Sequence, residues 1–224
     1  SHGDADTAQL VRLMRSRRSC RLYSDRPLER TLLEDLVKIG ITAPSGTNSQ
    51  KWTFTLLSAR EDVLALGERI ASFFKKINRM ADRFWLRTGL KLLGKGELDR
   101  YYREYYDTVK QALHANDMSG TDLLFHGAPA AVIVGSGPGA SCPGEDALLA
   151  SQNIMLGAHA MGLGSCMIGY AVRAIQADRS IPRFLDIPPE ETIHAVIGLG
   201  YPQETYARIP GRKKCTIRHL SKAG

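Results

Sequence analysis

The chain lacks the marks of several large protein classes, and each absence removes one of them. Its four cysteines, Cys20, Cys142, Cys166 and Cys215, are far apart and form no C-x-x-C. Neither a structural zinc nor an iron-sulfur site is therefore signalled, and free thiols in a reducing compartment are expected. No P-loop lysine motif occurs, which argues against a nucleoside triphosphatase. Gly162-x-Gly164 and Gly198-x-Gly200 each supply part of a dinucleotide fingerprint, but neither has the third glycine in place. No internal repeat or low-complexity segment divides the chain. No charged and then apolar leader opens it, and Ser1-His2-Gly3 reads as the remnant of an expression tag, so a cytoplasmic protein is expected. The longest charge-free run, Ala147 to Val172, is long enough to cross a bilayer. Ser151, Gln152, Asn153 and His159 interrupt it and Gly162 and Gly164 break it, so a buried helix followed by a buried strand is the expectation, with no membrane partner.

What is present fits one soluble domain. A chain of 224 residues with 43% hydrophobic content can bury a sizeable core without leaving a disordered remainder. The net charge of +7 raises nucleic-acid binding as a possibility. Much of the excess lies between Lys75 and Lys110, where ten Lys and Arg residues face five Asp and Glu. A solvated helical face accounts for it, and attraction of an anionic partner such as a nicotinamide dinucleotide phosphate is the functional alternative.

The apolar pattern lays out the elements. Asp6 can cap a first helix with Leu10, Leu13 and Met14 on one face. Pro27 opens a second, with Leu32, Leu33, Leu36, Val37 and Ile41 as candidates for its buried stripe, which ends before Pro44. Strands are predicted over Trp52 to Leu57, Ala130 to Gly135, Ser165 to Ile168 and His194 to Leu199. A helix is predicted over Glu145 to Met161, another starts at Pro188-Pro189-Glu190-Glu191, and residues 61 to about 115 read as helices divided at Gly89, Gly94 and Gly96. Strands and helices without regular βαβ alternation argue for an α+β fold over a doubly wound sheet.

Two motifs carry the chemistry. Arg17-Arg18-Ser19-Cys20-Arg21-Leu22-Tyr23 sets three guanidinium groups and a hydroxyl close together, a natural receptor for a phosphate dianion. Ala43-Pro44-Ser45-Gly46-Thr47-Asn48-Ser49-Gln50-Lys51-Trp52 is a turn of small polar groups, and Pro44 biases Ala43 away from helix. A phosphate clamp and a polar loop together suggest a phosphorylated cofactor. Taken singly, the arginines also fit a helix end whose cations favour the C-terminal dipole, and the loop fits an ordinary helix-terminating turn.

In this order the two motifs resemble the nitroreductase family of FMN-dependent oxidoreductases. Two further segments join them: Gly162-Leu163-Gly164-Ser165-Cys166-Met167-Ile168-Gly169 is similar to the family's flavin-contacting strand, and Pro210-Gly211-Arg212-Lys213-Lys214 to its C-terminal phosphate contact. The resemblance spans nearly the whole chain. It implies a single nitroreductase-like domain with a mostly antiparallel central sheet flanked by helices, and an intertwined homodimer with FMN at the subunit interface. It further implies that Arg17, Ser19, Arg21 and Arg212 hold the phosphate and that Arg18 contacts the ring or ribityl oxygens. Pro44, Ser45, Gly46 and Asn48 would approach from the other subunit, while Met167, Ile168 and Gly169 lie along the ring. Gly169 stands where many members carry an acidic residue. The charge-poor helix from Ala147 to Met161 is the candidate dimer core.

The implied reaction is ping-pong hydride transfer from NADH or NADPH to an electron-poor acceptor such as a nitroaromatic or quinone. No side chain is needed as a dedicated acid or base, in keeping with the scattered His114, His126, His159, His194 and His219 and the apolar setting of Cys166. Phe84, Trp85, Tyr101, Tyr102, Tyr105 and Tyr106 lie in the variable helical segment or lid and serve either as aromatic walls or as plain helix packing. Other readings change the chemistry on the same fold, to reductive dehalogenation or flavin fragmentation. Another leaves enzymes altogether for flavin storage or a basic nucleic-acid module.

Overall fold

Two strands are apolar along nearly their whole length, β2 (Ala130–Ser136) and β4 (Thr192–Gly200), and such strands need cover on both faces of a sheet. A computed structural model, which describes residues 6–220, provides that cover; Ser1-His2-Gly3 lies outside the described residues. The sheet has four strands in the order β1-β2-β4-β3, with β1 at Trp52–Leu57 and β3 at Gly164–Met167. Every neighbouring pair is antiparallel. The α+β class and the antiparallel sheet flanked by helices agree with the expectation.

Because successive side chains point to opposite faces, Val132 and Ile133 belong to different cores. On one face α2 (Arg30–Gly40) and α7 (Pro143–Ala160) close Leu33, Leu36 and Ile154 over Val132, Val134 and Ile197. On the other, α3 (Arg60–Ala81), α6 (Tyr106–Ser119) and α8 (Gly169–Ala177) bring Leu66, Ile70, Phe74, Val109 and Ile175 onto Ile133 and Val196. Within the predicted 61–115 segment, α3 and α6 are thus core helices. Only α4 (Phe84–Leu92) and α5 (Glu97–Glu104) stand off as a lid would, with no buried residue on either.

α1 (Thr7–Ser16) is capped as predicted, the Asp6 carboxylate accepting the Ala8 N–H at 2.8 Å. Its apolar face meets no core, and Leu10 and Met14 stay 46% and 48% exposed. Other boundaries differ from the sequence reading for physical reasons. α2 begins at Arg30 because Pro27 to Glu29 arrives without helical structure and sinks Leu28 into the core. Gly89 lies inside α4, and the breaks fall at Asp82 and Arg83, between Leu93 and Gly96, and at Tyr105. Pro188 to Glu191 form a turn into β4 and start no helix, since Pro189 pushes Pro188 out of the helical region. The helices of that stretch are the unforeseen α8 and α9 (Ser180–Phe184). The helix proposed as a dimer core, α7, spends much of its surface inside its own chain through Ala147, Ala150, Ile154 and Ala158, leaving Leu148 and Leu149 outward.

Candidate active site

The arginine segment runs beside β3. Ser19 bridges to Ser165 in parallel fashion, and the Cys20 N–H donates to the Ser165 carbonyl at 3.0 Å. Tyr23 locks the far end: its buried hydroxyl lies 2.8 Å from the Cys20 carbonyl oxygen and 3.3 Å from that of Gly198. Burial pushes both the Cys20 thiol and the Tyr23 phenol above their ordinary pKa values. The glycines that imitate a dinucleotide fingerprint serve this packing. A Cβ on Gly164 would come within 2.7 Å of Cys20, and one on Gly200 within 2.8 Å of the Tyr23 ring.

Held this way, the segment offers guanidinium groups that the chain does not neutralise. Arg17 follows the last turn of α1, Arg18 lies 4.2 Å over the Tyr206 ring, and Arg21 faces a cavity. Among the described residues none of the three pairs with a carboxylate, whereas Arg60 does so with Asp122 at 2.9 Å. The Ser165 hydroxyl next to Ser19 is buried at 2% exposure without a hydrogen-bond partner. Uncompensated cations and an orphaned donor on neighbouring residues fit a phosphate-bearing ligand.

The cavity beside Arg21, about 750 Å³, is walled by Met167, Ile168 and Gly169 on one side and by Phe74, Tyr101, Tyr105 and Tyr170 on another. Tyr101 stacks on Phe74 with ring centroids 6.3 Å apart and 18° between planes, and Tyr170 meets Phe74 edge-on. Tyr101 donates its hydroxyl to Asn78 at 2.6 Å, and burial raises its pKa. Gly169 opens α8, whose start has no side-chain cap, so the cavity borders uncapped N–H groups at a helix N-terminus. A Cβ on Gly169 would meet nothing within 4 Å, so the missing acidic side chain leaves open space. Planar walls, a cation and backbone donors suit an aromatic ring system with polar edges.

The cavity residues that the sequence did not assign to a site include Phe74, His126, Tyr170 and Arg173. His126 has a left-handed φ of 58° and is half-buried; burial and then the Arg21 charge hold its pKa below the ordinary value. Nothing in the sequence ties it to Arg21. Tyr170, directly after the Met167-Ile168-Gly169 motif, was within reach of the reading. Of the lid aromatics, Tyr101 and Tyr105 line the cavity, Tyr106 is buried and donates to Asp82, Tyr102 lies under Arg87, and Phe84 and Trp85 are exposed.

The polar loop sits elsewhere, at the N-terminus of α7. The Gly46 N–H donates to Asp146 at 2.8 Å, and a Cβ there would come within 2.5 Å of Ser141. Ser45 accepts from the Gln50 N–H and Asn48 from the Gln50 side chain, while Pro44 is exposed. Within one chain the structure does not bring Pro44, Ser45, Gly46 or Asn48 into the cavity of Arg21 and Gly169. Arg212 lies on an exposed tail without helix or strand, making no ion pair among the described residues. The start of that tail is fixed to the arginine segment through Tyr206, through a Tyr23–Pro202 bridge and by the Gln203 N–H donating to Leu22.

Fold and cavity together define an α+β protein with an arginine-rich segment bridged to the edge strand β3 beside an aromatic-walled cavity. The Nitroreductase family model matches residues 14–201, and the chain belongs to this family. A nitroreductase from Bacteroides fragilis, solved with bound FMN, superposes with a TM-score of 0.71 at 22% identity, covering 95% of this chain and 99% of that one. A 4-nitrobenzoate reductase of Nocardioides sp. is 25% identical over 84% of this chain and 78% of its own length. An iodotyrosine dehalogenase 1 homolog of Caenorhabditis elegans is 24% identical over 93% of this chain and 59% of its own length. Among the described residues no helix is long and apolar enough to cross a membrane, and no cluster of three His, Cys, Asp or Glu could hold a metal.

Proposed function

We propose that the chain is an FMN-dependent oxidoreductase acting between NADH or NADPH and an electron-poor acceptor such as a nitroaromatic or quinone. The observation that carries this reading is the unneutralised Arg17-Arg18-Ser19-Arg21 segment at the edge of an aromatic-walled cavity. Bound FMN would supply the redox chemistry, taking hydride from the nicotinamide and passing it to the acceptor. Arg17, Ser19 and Arg21 would hold its phosphate, Arg21 where the segment reaches the cavity that Arg18 does not line. The N–H at the start of α8 would donate to the ring edge next to Gly169. Phe74, Tyr101 and Tyr170 would shape a planar slot and keep water from it.

The same reading makes the protein a homodimer with FMN at the interface. Leu10, Val11 and Met14 of α1 and Leu148 and Leu149 of α7 are large, apolar and uncovered. The loop of Pro44, Ser45, Gly46 and Asn48 and the tail with Arg212 lie apart from the cavity, and a second copy would bring them to it. Sedimentation at micromolar concentration is expected to give twice the mass of the chain.

Similarity to the dehalogenase homolog matches that to the reductase, which favours reductive dehalogenation as the second reading. Anaerobic absorption spectra decide between the readings. A yellow protein that bleaches with NADH or NADPH, and recovers its colour with a nitroaromatic or quinone, supports the reductase. Recovery with an iodinated tyrosine alone supports the second reading, and a protein that stays colourless after incubation with FMN contradicts both.

A further inference from the structure

Behind the aromatic cavity lies a second, smaller chamber of about 420 Å³ between α3, α6 and the turn at residues 122 to 126. Its walls are mainly apolar, including Val63, Ile70, Val109 and Phe125. The two spaces share Phe74, Thr108, Leu123, Leu124, His126 and Tyr170, so they adjoin one another along these residues. We infer that this chamber takes an apolar chain carried by the electron acceptor, whose reactive ring occupies the larger cavity. The inference rests on the redox reading above and adds the shape of the substrate to it.

Three observations carry it. First, the space is bounded by the small residues Gly67 and Ala71 on α3 and Ala112 on α6. Glycine is a poor choice in the interior of a 22-residue helix, and a Cβ at Gly67 would find ordinary contact 3.9 Å from the Phe125 ring. Neither backbone conformation nor crowding therefore requires glycine there, and what its absence of side chain leaves is room. Second, the turn that lines both spaces is built firmly. Asp122 accepts the N–H groups of Phe125 at 2.8 Å and Leu124 at 3.1 Å, and Arg60 clamps Asp122 and the Ala128 carbonyl. A turn fixed this way holds its shape against the tendency of apolar walls to collapse. Third, the volume falls in the range of cavities that enclose small ligands, and its lining offers an alkyl or isoprenoid chain burial with few polar groups to desolvate.

The test uses the flavin-loaded protein and a series of 2-alkyl-1,4-naphthoquinones from methyl to decyl, with direct binding of the neutral fluorophore N-phenyl-1-naphthylamine as a second readout. KM is expected to fall about two- to fourfold for each added methylene until the chamber is full. Gly67→Leu, which intrudes on the space from its α3 side, is expected to flatten that trend and weaken the fluorophore at least tenfold. The methyl compound's turnover and the flavin spectrum stay unchanged. Gly67→Ala is the control for the backbone and keeps most of the binding, and Ala112→Leu repeats the block from the opposite wall should Gly67→Leu fail to fold. Equal chain-length trends and equal fluorophore binding in the wild type and both blocking variants would overturn the chamber assignment while leaving the reductase standing. Fluorophore binding that Gly67→Leu abolishes, in a protein that no nicotinamide reduces, supports the chamber and sinks the redox reading instead.

Discussion

The arginine segment and the polar loop look alike as motifs, both short and rich in hydrogen-bonding groups, yet the fold treats them oppositely. Around Gly46 the donors and acceptors are satisfied inside the chain: Asp146 takes the Gly46 N–H, Gln50 satisfies Ser45 and Asn48, and the Trp52 indole donates to the Asp146 carbonyl. Around Arg21 the backbone is tied down while the guanidinium groups are left without an anion. Within one chain the first region has its hydrogen bonds satisfied, and the second leaves its guanidinium groups without an anion. Removing side chains from the first is therefore expected to cost stability, and from the second to cost binding.

The largest effect is expected in the second region. Changing Arg17 and Arg21 together to Ala removes charge-assisted contacts of roughly 1.5–3 kcal/mol each and should weaken FMN at least about 100-fold. The unfolding free energy is expected to stay within about 0.5 kcal/mol of the wild type, as neither residue supports the core. Loss of folding in that variant would erase the distinction between the regions. The converse is Asp146→Ala, which takes from the Gly46 N–H its buried carboxylate acceptor and should lower unfolding free energy by about 1–3 kcal/mol in a urea titration. Its preference for FMN over riboflavin should not change.

A smaller effect is expected where the regions' supports are probed. Tyr23→Phe deletes a hydroxyl shared between the Cys20 and Gly198 carbonyls, for a loss of about 1 kcal/mol in the same titration. FMN affinity should drop with it because the arginine segment loosens. The mildest test is titration. Burial holds His159 and His194 below the ordinary value of 6.5, with the Arg17 charge adding to the effect at His159 and Glu145 opposing it at His194. Both are favoured neutral by folding, so their contribution is full above pH 6.5 and is lost as pH falls through the folded values. A phosphate bound at Arg17 should raise the NMR-detected pKa of His159 and leave that of His194 where it was. Equal shifts at both would contradict a local anion site.

Sequence made the sheet legible because its two central strands are largely apolar, and Ala130 to Val134 admits little else than a covered central strand. It made the cofactor motif legible because Arg17, Arg18, Ser19 and Arg21 are adjacent in the chain. What it hid depends on contacts between distant residues. Asp146, in the first turn of α7, anchors a loop a hundred positions earlier. His126 meets Arg21 only because Asp122 folds the intervening turn. The glycines at 164 and 200 read as half a nucleotide fingerprint until Tyr23 and Cys20 are seen pressed against them. The helix start at Pro188 failed for a local reason, since two consecutive prolines favour an extended first residue.

The most direct measurement compares FMN and riboflavin, which share a ring and differ by the phosphate, in quenching titrations of the flavin-free protein at fixed salt. Wild-type protein should bind FMN at least about 100-fold more tightly than riboflavin, and the Arg17→Ala, Arg21→Ala variant should bind the two alike. Equal affinity for FMN and riboflavin in the wild type would mean that the unneutralised arginines are not a phosphate site.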